Sequence, residues 1–94
     1  MIVGPRRSAT IRIQNKKGLH ARASAKVVEA AARFHSEIMV IKDGEAVNAR
    51  SIMGLMMLNA NFGTDVELTA EGPDAEEAIT ALVNLADAKF GEDG

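Results

Sequence analysis

One of the two histidines lies where a nucleophile could act beside a bound anion. His20 stands between an alternating, strand-like stretch and an alanine-rich, helix-like stretch, within Gly18-Leu19-His20-Ala21-Arg22. The first amide groups of a helix lack intrahelical acceptors and carry the positive end of the helix dipole, so they bind anions. The position therefore indicates a nucleophilic imidazole next to a phosphate cradle.

The residues that follow His20 are expected to form this cradle. Arg22 supplies a fixed positive charge and a fork of N–H donors, which suits phosphate oxygens. We predict that the helix N-terminus holds the phosphate through Ala21, Arg22, Ala23 and Ser24. For the Ser24 hydroxyl, a structural bond within the turn is favoured over a contact with phosphate.

The other residues with reactive side chains do not indicate a second functional site. His35 follows Phe34 near a predicted helix end, where we expect a structural or solvent-facing role. Two distant histidines and no cysteine provide no recognisable spacing of metal ligands. We therefore predict no metal.

Composition narrows the classes of function. A chain of 94 residues holds one modest core and cannot easily enclose a deep active site, so surface chemistry is expected. The net charge of −2 and the lack of Tyr and Trp argue against nucleic acid binding. No apolar run approaches the roughly 20 residues that span a bilayer, and residues 1–7 are too short for a signal peptide. We expect a cytoplasmic protein without membrane contact.

The pattern of apolar residues predicts the elements that position His20. Strands are expected at 10–14, at 37–42, through Val47 and through Val66, with Asp43-Gly44 forming a hairpin turn. Helices are expected from about 21 to 34, from 52 to about 58, and from Asp74 to about 90. Asp74 and Glu77 have the spacing of a capping box for the last helix.

The order β-α-β-β-α-β-α predicts an α+β protein of two layers. Three helices are expected on one face of a four-stranded antiparallel sheet, as in an open-faced sandwich. Residues 1–94 are interpreted as a single domain with its core at about 8–90. We expect residues 1–7 and 91–94 to be flexible.

Two blocks of the chain resemble a known family. Residues 15–22, Asn15-Lys16-Lys17-Gly18-Leu19-His20-Ala21-Arg22, resemble the active-site segment of HPr, the histidine phosphocarrier of the bacterial phosphoenolpyruvate-dependent phosphotransferase system. Residues 51–58, Ser51-Ile52-Met53-Gly54-Leu55-Met56-Met57-Leu58, resemble its regulatory-serine segment, and their distance from His20 along the chain also fits. The similarity runs from about Ser8 to Phe90, and two motifs in register make it specific.

The resemblance implies a phosphocarrier with the HPr-like fold and not an enzyme. His20 would accept a phosphoryl group on Nδ1 from Enzyme I, which takes it from phosphoenolpyruvate, and would pass it to a IIA domain. Arg22 matches the family's active-site arginine, which holds the phosphoryl oxygens. No bound cofactor is implied. Ala23 replaces the proline usual in the family, which leaves the rigidity of the loop in question.

The second block implies regulation and docking. Ser51 is expected to cap the helix that it precedes, and the resemblance implies its phosphorylation by an HPr kinase/phosphorylase. Ile52, Met53, Met56 and Met57 are predicted to form a docking face for these partners, since thioethers adapt to several surfaces. A protein that docks several partners transiently is expected to be a monomer.

Two other readings stay open at this stage. A regulatory homologue, of a nitrogen-type or catabolite-control kind, would act through its phosphorylation state without feeding sugar transport. A bare interaction or RNA-binding module with an incidental His20 is disfavoured, because the predicted strands carry no aromatic residues.

Overall fold

A computed structural model describes residues 4–92 and places them in a two-layer open-faced sandwich. The predicted order of elements and the fold class are confirmed. The elements are β1 (Arg6–Arg12), α1 (Ala21–Ala31), β2 (Glu37–Lys42), β3 (Glu45–Asn48), α2 (Ile52–Met57), β4 (Asp65–Glu71), α3 (Ala75–Asp87) and a short 3-10 turn, Lys89–Gly91.

The sheet has the strand order β1-β4-β2-β3, and each neighbouring pair is antiparallel. Alternation along the strands turns one set of side chains to the helices, as at the cross-strand pairs Ile11–Val66 and Val40–Leu68. These four side chains are buried. The helices close the core with Leu19, Val27, Leu55, Leu82 and Phe90.

The first strand begins earlier and ends earlier than predicted. It starts at Arg6 instead of Thr10, because β4 is long enough to pair Glu71 with Arg6 and Ala70 with Arg7. It ends at Arg12 instead of Gln14. Arg6 and Arg7, which the prediction included in the flexible segment 1–7, therefore belong to β1. Residues 1–3 lie outside the described residues.

The described part of segment 91–94, which was predicted to be flexible, follows a tight turn after α3. Phe90 is 1% exposed, and its left-handed backbone conformation, with φ of 55°, turns the chain after α3. Glu92 then accepts a hydrogen bond from the Asn15 side chain at 2.9 Å. Residues 93–94 lie outside the described residues.

The predicted capping box at the start of α3 is not formed. Asp74 is the N-cap residue, but its side chain makes no cap bond with the helix. Its carboxylate instead accepts from the Ser36 hydroxyl at 2.6 Å and from the backbone amides of His35 and Ser36. These donors lie in the turn after α1, so Asp74 ties α3 to that turn.

α1 and α3 end three residues before their predicted ends, at Ala31 and Asp87, whereas α2 ends within one residue of its prediction. Side chains from elsewhere close the C-terminal ends of α1 and α2. α1 ends at Ala31, and the Arg50 guanidinium donates to the carbonyl groups of Ala31, Phe34 and Ser36. α2 ends at Met57, and Lys42 donates to the carbonyl groups of Leu58 and Asn59. A cation at a helix C-terminus satisfies carbonyls that have no partner within the helix.

Candidate functional site

The loop from β1 to α1 is fixed by a tight turn. The amide of Gly18 donates to the Asn15 carbonyl at 3.1 Å, and the buried Asn15 side chain donates to the Gly18 carbonyl at 2.9 Å. Gly18 has a left-handed φ of 66°, and a Cβ atom there would lie 2.4 Å from the Ala60 carbonyl oxygen. The next residue, Leu19, donates its amide to the same oxygen at 2.9 Å. The turn thus needs glycine and rests against the loop before β4.

His20 is the N-cap residue of α1. Its backbone is extended, with φ of −83° and ψ of −170°, and its carbonyl accepts the first helical bond, from the Ser24 amide at 2.8 Å. The imidazole makes no cap bond with the helix and is exposed. The ring of the expected nucleophile is therefore accessible from solvent and free of internal bonds among the described residues.

Three amide groups precede the first helical bond, those of Ala21, Arg22 and Ala23. They have no acceptor within the helix, so they carry the partial positive charge of its N-terminus. The exposed Arg22 side chain makes no hydrogen bond or ion pair with the residues that the structure describes. Its guanidinium can therefore turn toward an anion without losing an existing partner.

Ser24, which the prediction included in the cradle while favouring a structural bond for its hydroxyl, makes that structural bond. Its amide is bound to His20, and its buried hydroxyl donates to the Leu19 carbonyl at 3.0 Å. Ser24 therefore holds the loop in place and has no free group for phosphate. Ala23 is also fully buried as a whole residue, so Ala21 and Arg22 are the exposed residues of the predicted cradle. The helix begins at Ala21 without the proline usual in the family.

A groove runs beside His20 and brings together residues from the loop, from α1 and from the chain end. Its lining residues are Lys16, Lys17, His20, Ala21, Arg22, Gly91 and Glu92. Lys16, Lys17 and Arg22 give it a positive character, which suits a phosphoryl group. The two lysines lie in the family-like segment 15–22 but were given no role of their own, although two cations next to the histidine are a usable signal. No local signal pointed to Glu92, which is 77 positions away from Asn15.

Ser51 caps α2 as predicted. Its hydroxyl accepts a hydrogen bond from the Gly54 amide at 3.0 Å. The residues predicted to form a docking face differ in exposure: Met53 is 65% exposed, Met57 67% and Ile52 40%, whereas Met56 is half-buried. Leu55 faces the core.

Phe62, in the loop after α2, adds a side chain that the sequence analysis missed. It is 63% exposed and so extends the apolar surface beyond the methionines. The same loop supplies the Ala60 carbonyl that binds Leu19. The loop that follows α2 and the loop that precedes His20 are therefore linked by a direct backbone hydrogen bond.

Residues 4–92 contain no group of three or more His, Cys, Asp or Glu side chains that could hold a metal ion. Within the same range, no helix is long and apolar enough to cross a membrane.

An open-faced sandwich with an exposed N-cap histidine beside an arginine is the combination expected of a phosphocarrier protein. A family model described as "PTS HPr component phosphorylation site" matches residues 7–88. The chain therefore belongs to the HPr family of the phosphotransferase system, whose members are phosphocarrier proteins and not enzymes.

Individual relatives agree with this assignment. A phosphocarrier protein HPr from Neisseria meningitidis is 52% identical over 83 residues, which cover 88% of this chain and 93% of the relative. A crystal structure of HPr-C-His from Thermoanaerobacter tengcongensis is 53% identical, with a TM-score of 0.90 over 94% of this chain and 99% of that one. A phosphocarrier protein NPr from Shewanella violacea is 40% identical over 87% of this chain and 90% of the relative.

Proposed function

We propose that this chain accepts a phosphoryl group on His20 from phospho-Enzyme I and passes it to a IIA domain. The observation that carries the proposal is the free, exposed imidazole at the N-cap of α1, next to helix amides that have no acceptor within the helix and a guanidinium without a partner among the described residues. Enzyme I draws the group from phosphoenolpyruvate, and the carrier itself holds no cofactor. We place the protein in the cytoplasm, where these partners act, and expect a monomer.

The transfer needs little chemistry from the carrier beyond its nucleophile. The lone pair of the His20 Nδ1 atom forms the new P–N bond, while the bond between phosphorus and the donor breaks and its electron pair stays with the donor. Negative charge on the three phosphoryl oxygens is stabilised by Arg22 and by the amides at the helix N-terminus. Because the helix holds its amides in place, they need little reorganisation during the transfer, while the free Arg22 guanidinium turns toward the phosphoryl oxygens.

Regulation at Ser51 is a second part of the proposal. Its hydroxyl lies at a helix N-terminus, where the dipole favours a phosphate, so modification need not unfold α2. A new dianion beside Ile52 and Met53 would repel an acidic partner surface. We propose that an HPr kinase/phosphorylase modifies this residue and so weakens docking of Enzyme I.

The docking face that we propose is formed by Ile52, Met53, Met56 and Met57. Its exposed apolar side chains suit transient contacts, because each partner can repack the flexible thioethers. Met56, which is half-buried, contributes the edge of this face.

The carrier function is tested by mixing the protein with Enzyme I, Mg²⁺ and phosphoenolpyruvate and following its intact mass. We expect the mass of one phosphoryl group, labile in acid, on the wild type and on the control variant His35→Ala. The variant His20→Ala should gain none. An unmodified wild type with Enzyme I from the same organism would refute the proposal.

A nitrogen-type role is a second candidate, favoured by the similarity to an NPr protein. In that role the same phospho-His20 would donate to a regulatory IIA protein instead of a IIA domain of a sugar transporter. Phosphorylated protein offered to both kinds of acceptor separates the two roles, because the initial transfer rate should be markedly higher to the true partner.

A further inference from the structure

We propose that Glu92 is the resident counter-ion of the His20 groove and that its charge lowers the stability of phospho-His20. This inference rests on the proposed function, since it concerns the phosphorylated state of the same histidine. Among the described residues that line the groove, Lys16, Lys17 and Arg22 are cationic, and Glu92 is the one anionic residue. A phosphoryl group on His20 would therefore share the groove with the Glu92 carboxylate.

The carboxylate of Glu92 is held in the groove by a fixed donor. The Asn15 side chain is fully buried, and its Nδ2 atom donates to Glu92 Oε1 and to the Gly18 carbonyl, each at 2.9 Å. These two acceptors use both hydrogens of the amide and so fix its orientation. The buried Phe90 anchors the chain just before Glu92. The position of the carboxylate is thus set by the Asn15 side chain and by the buried Phe90.

The charge of this carboxylate is not cancelled by a direct ion pair. Within the described residues no Lys or Arg nitrogen lies within 4.0 Å of Glu92. It acts instead as a diffuse counter-charge to the cations of the groove while His20 is unmodified. Phosphorylation brings a group of nearly two negative charges into the same groove, and like charges repel. The carboxylate then raises the free energy of the phosphorylated state, which favours onward transfer.

The inference predicts the effect of removing the charge while keeping the contact. Glu92→Gln retains an oxygen that can accept from Asn15 but carries no charge. At a pyruvate excess that leaves the wild type about half phosphorylated by Enzyme I, we expect the ratio of phosphorylated to free Glu92→Gln to rise about three- to tenfold. The increase should shrink in about 1 M salt, where the Debye length is about 3 Å.

Two further variants separate charge from contact. Glu92→Ala removes both, and it should shift the ratio in the same direction and by a similar factor as Glu92→Gln. Glu76→Gln makes the same charge change on an exposed residue in the first turn of α3, at the opposite end of that helix, and should behave as the wild type.

The outcomes distinguish this inference from the proposed function. Equal ratios for wild type and Glu92→Gln, while both proteins are phosphorylated, would overturn the role of Glu92 and leave the carrier function intact. A shift in Glu92→Ala but not in Glu92→Gln would show a contact role and would also overturn it. A wild type that takes no phosphoryl group would refute the carrier function itself, and the inference with it.

Discussion

At the scale of single residues, Gly18 shows how closely the active loop fits the rest of the fold. Its backbone lies against Ala60, where a Cβ atom would come within 2.4 Å of a carbonyl oxygen. Gly44 also has a left-handed φ, of 82°, but no atom lies within 4 Å of the position that its Cβ would take. The two glycines share the backbone conformation and differ in crowding.

This difference gives a matched prediction. Gly44→Ala should lower the free energy of unfolding by about 1 kcal/mol, from the left-handed conformation alone. Gly18→Ala should lower it by about 2–4 kcal/mol, because the clash adds to that strain and moves the loop. Urea denaturation of both variants measures the two losses. Equal losses would show that Ala60 moves away freely.

The Arg22 side chain should affect the rate of phosphoryl transfer but not the free energy of unfolding. Arg22→Ala is expected to slow phosphorylation of His20 by at least about tenfold, since it removes a stabiliser of phosphoryl charge. Its free energy of unfolding should change by less than about 0.5 kcal/mol, because the side chain has no partner among the described residues. Initial rates with Enzyme I and urea denaturation provide the two readouts.

Lys26→Ala is the control for Arg22→Ala. Lys26 is an exposed cation on the same helix but does not line the groove. Its loss should leave the rate within about twofold of the wild type. If Lys26→Ala slows the reaction as much as Arg22→Ala, the effect arises from general charge on α1 and not from phosphoryl contact.

The residues of the site could be predicted only in part. His20 and Arg22 could be proposed as site residues from the sequence, because a strand-to-helix junction with adjacent donors is a local pattern. Glu92 could not be, because it reaches the groove through a left-handed turn at Phe90 that folds the chain back after α3. A structural bond of the Ser24 hydroxyl was favoured from the sequence, but its acceptor, the Leu19 carbonyl, is set by the loop conformation and could not be named.

At the scale of elements, the start of α3 shows a tertiary contact replacing a local one. The spacing of Asp74 and Glu77 predicts a capping box, but the donors from Ser36 and His35 take the Asp74 carboxylate. In a similar way, β1 extends back to Arg6 because β4 offers partners there, although its exposed residues show no alternating apolar pattern. Sequence periodicity predicted which elements exist, while long-range partners decided where they end.

The pKa of Asp74 gives a pH prediction at this scale. The Ser36 hydroxyl, followed by the His35 amide, holds the pKa of this carboxyl below its usual value. The ionised form is therefore favoured in the fold, and its contribution to stability is present above the unfolded pKa, about 3.9. That contribution is lost as the pH falls through the lower folded pKa. The urea midpoint of the wild type should fall as the pH is lowered below about 4.

Asp74→Asn isolates this residue from other acids. The variant should be less stable than the wild type at pH 7, and the difference should narrow as the pH falls below the unfolded pKa toward the lower folded pKa of Asp74. Urea midpoints at several pH values measure the difference. A constant difference from pH 7 to pH 2 would show that the charge of Asp74 plays no part.

At the scale of the whole molecule, the helix layer carries both the reactive histidine and the exposed apolar surface. The loop after α2 binds the loop before α1 through Leu19 and Ala60, so the two sites form one continuous piece of structure. A partner that covers Met53 and Phe62 would contact the layer that presents His20. Such a surface can position the reacting group of a partner in line with His20 without an enclosed cavity.

This arrangement predicts that a substitution on α2 can weaken partner docking without changing the free energy of unfolding. Met53→Asp places a charge on a side chain that is 65% exposed, so the free energy of unfolding should change by less than about 0.5 kcal/mol. It should lower kcat/KM of Enzyme I for this protein by at least about tenfold, chiefly through KM, because a charge in an apolar contact must be desolvated. Thr80→Asp, an exposed change on α3, adds the same charge and should have no such effect. Equal kcat/KM values for Met53→Asp and the wild type would exclude α2 from the docking surface and move it to another face of the layer around His20.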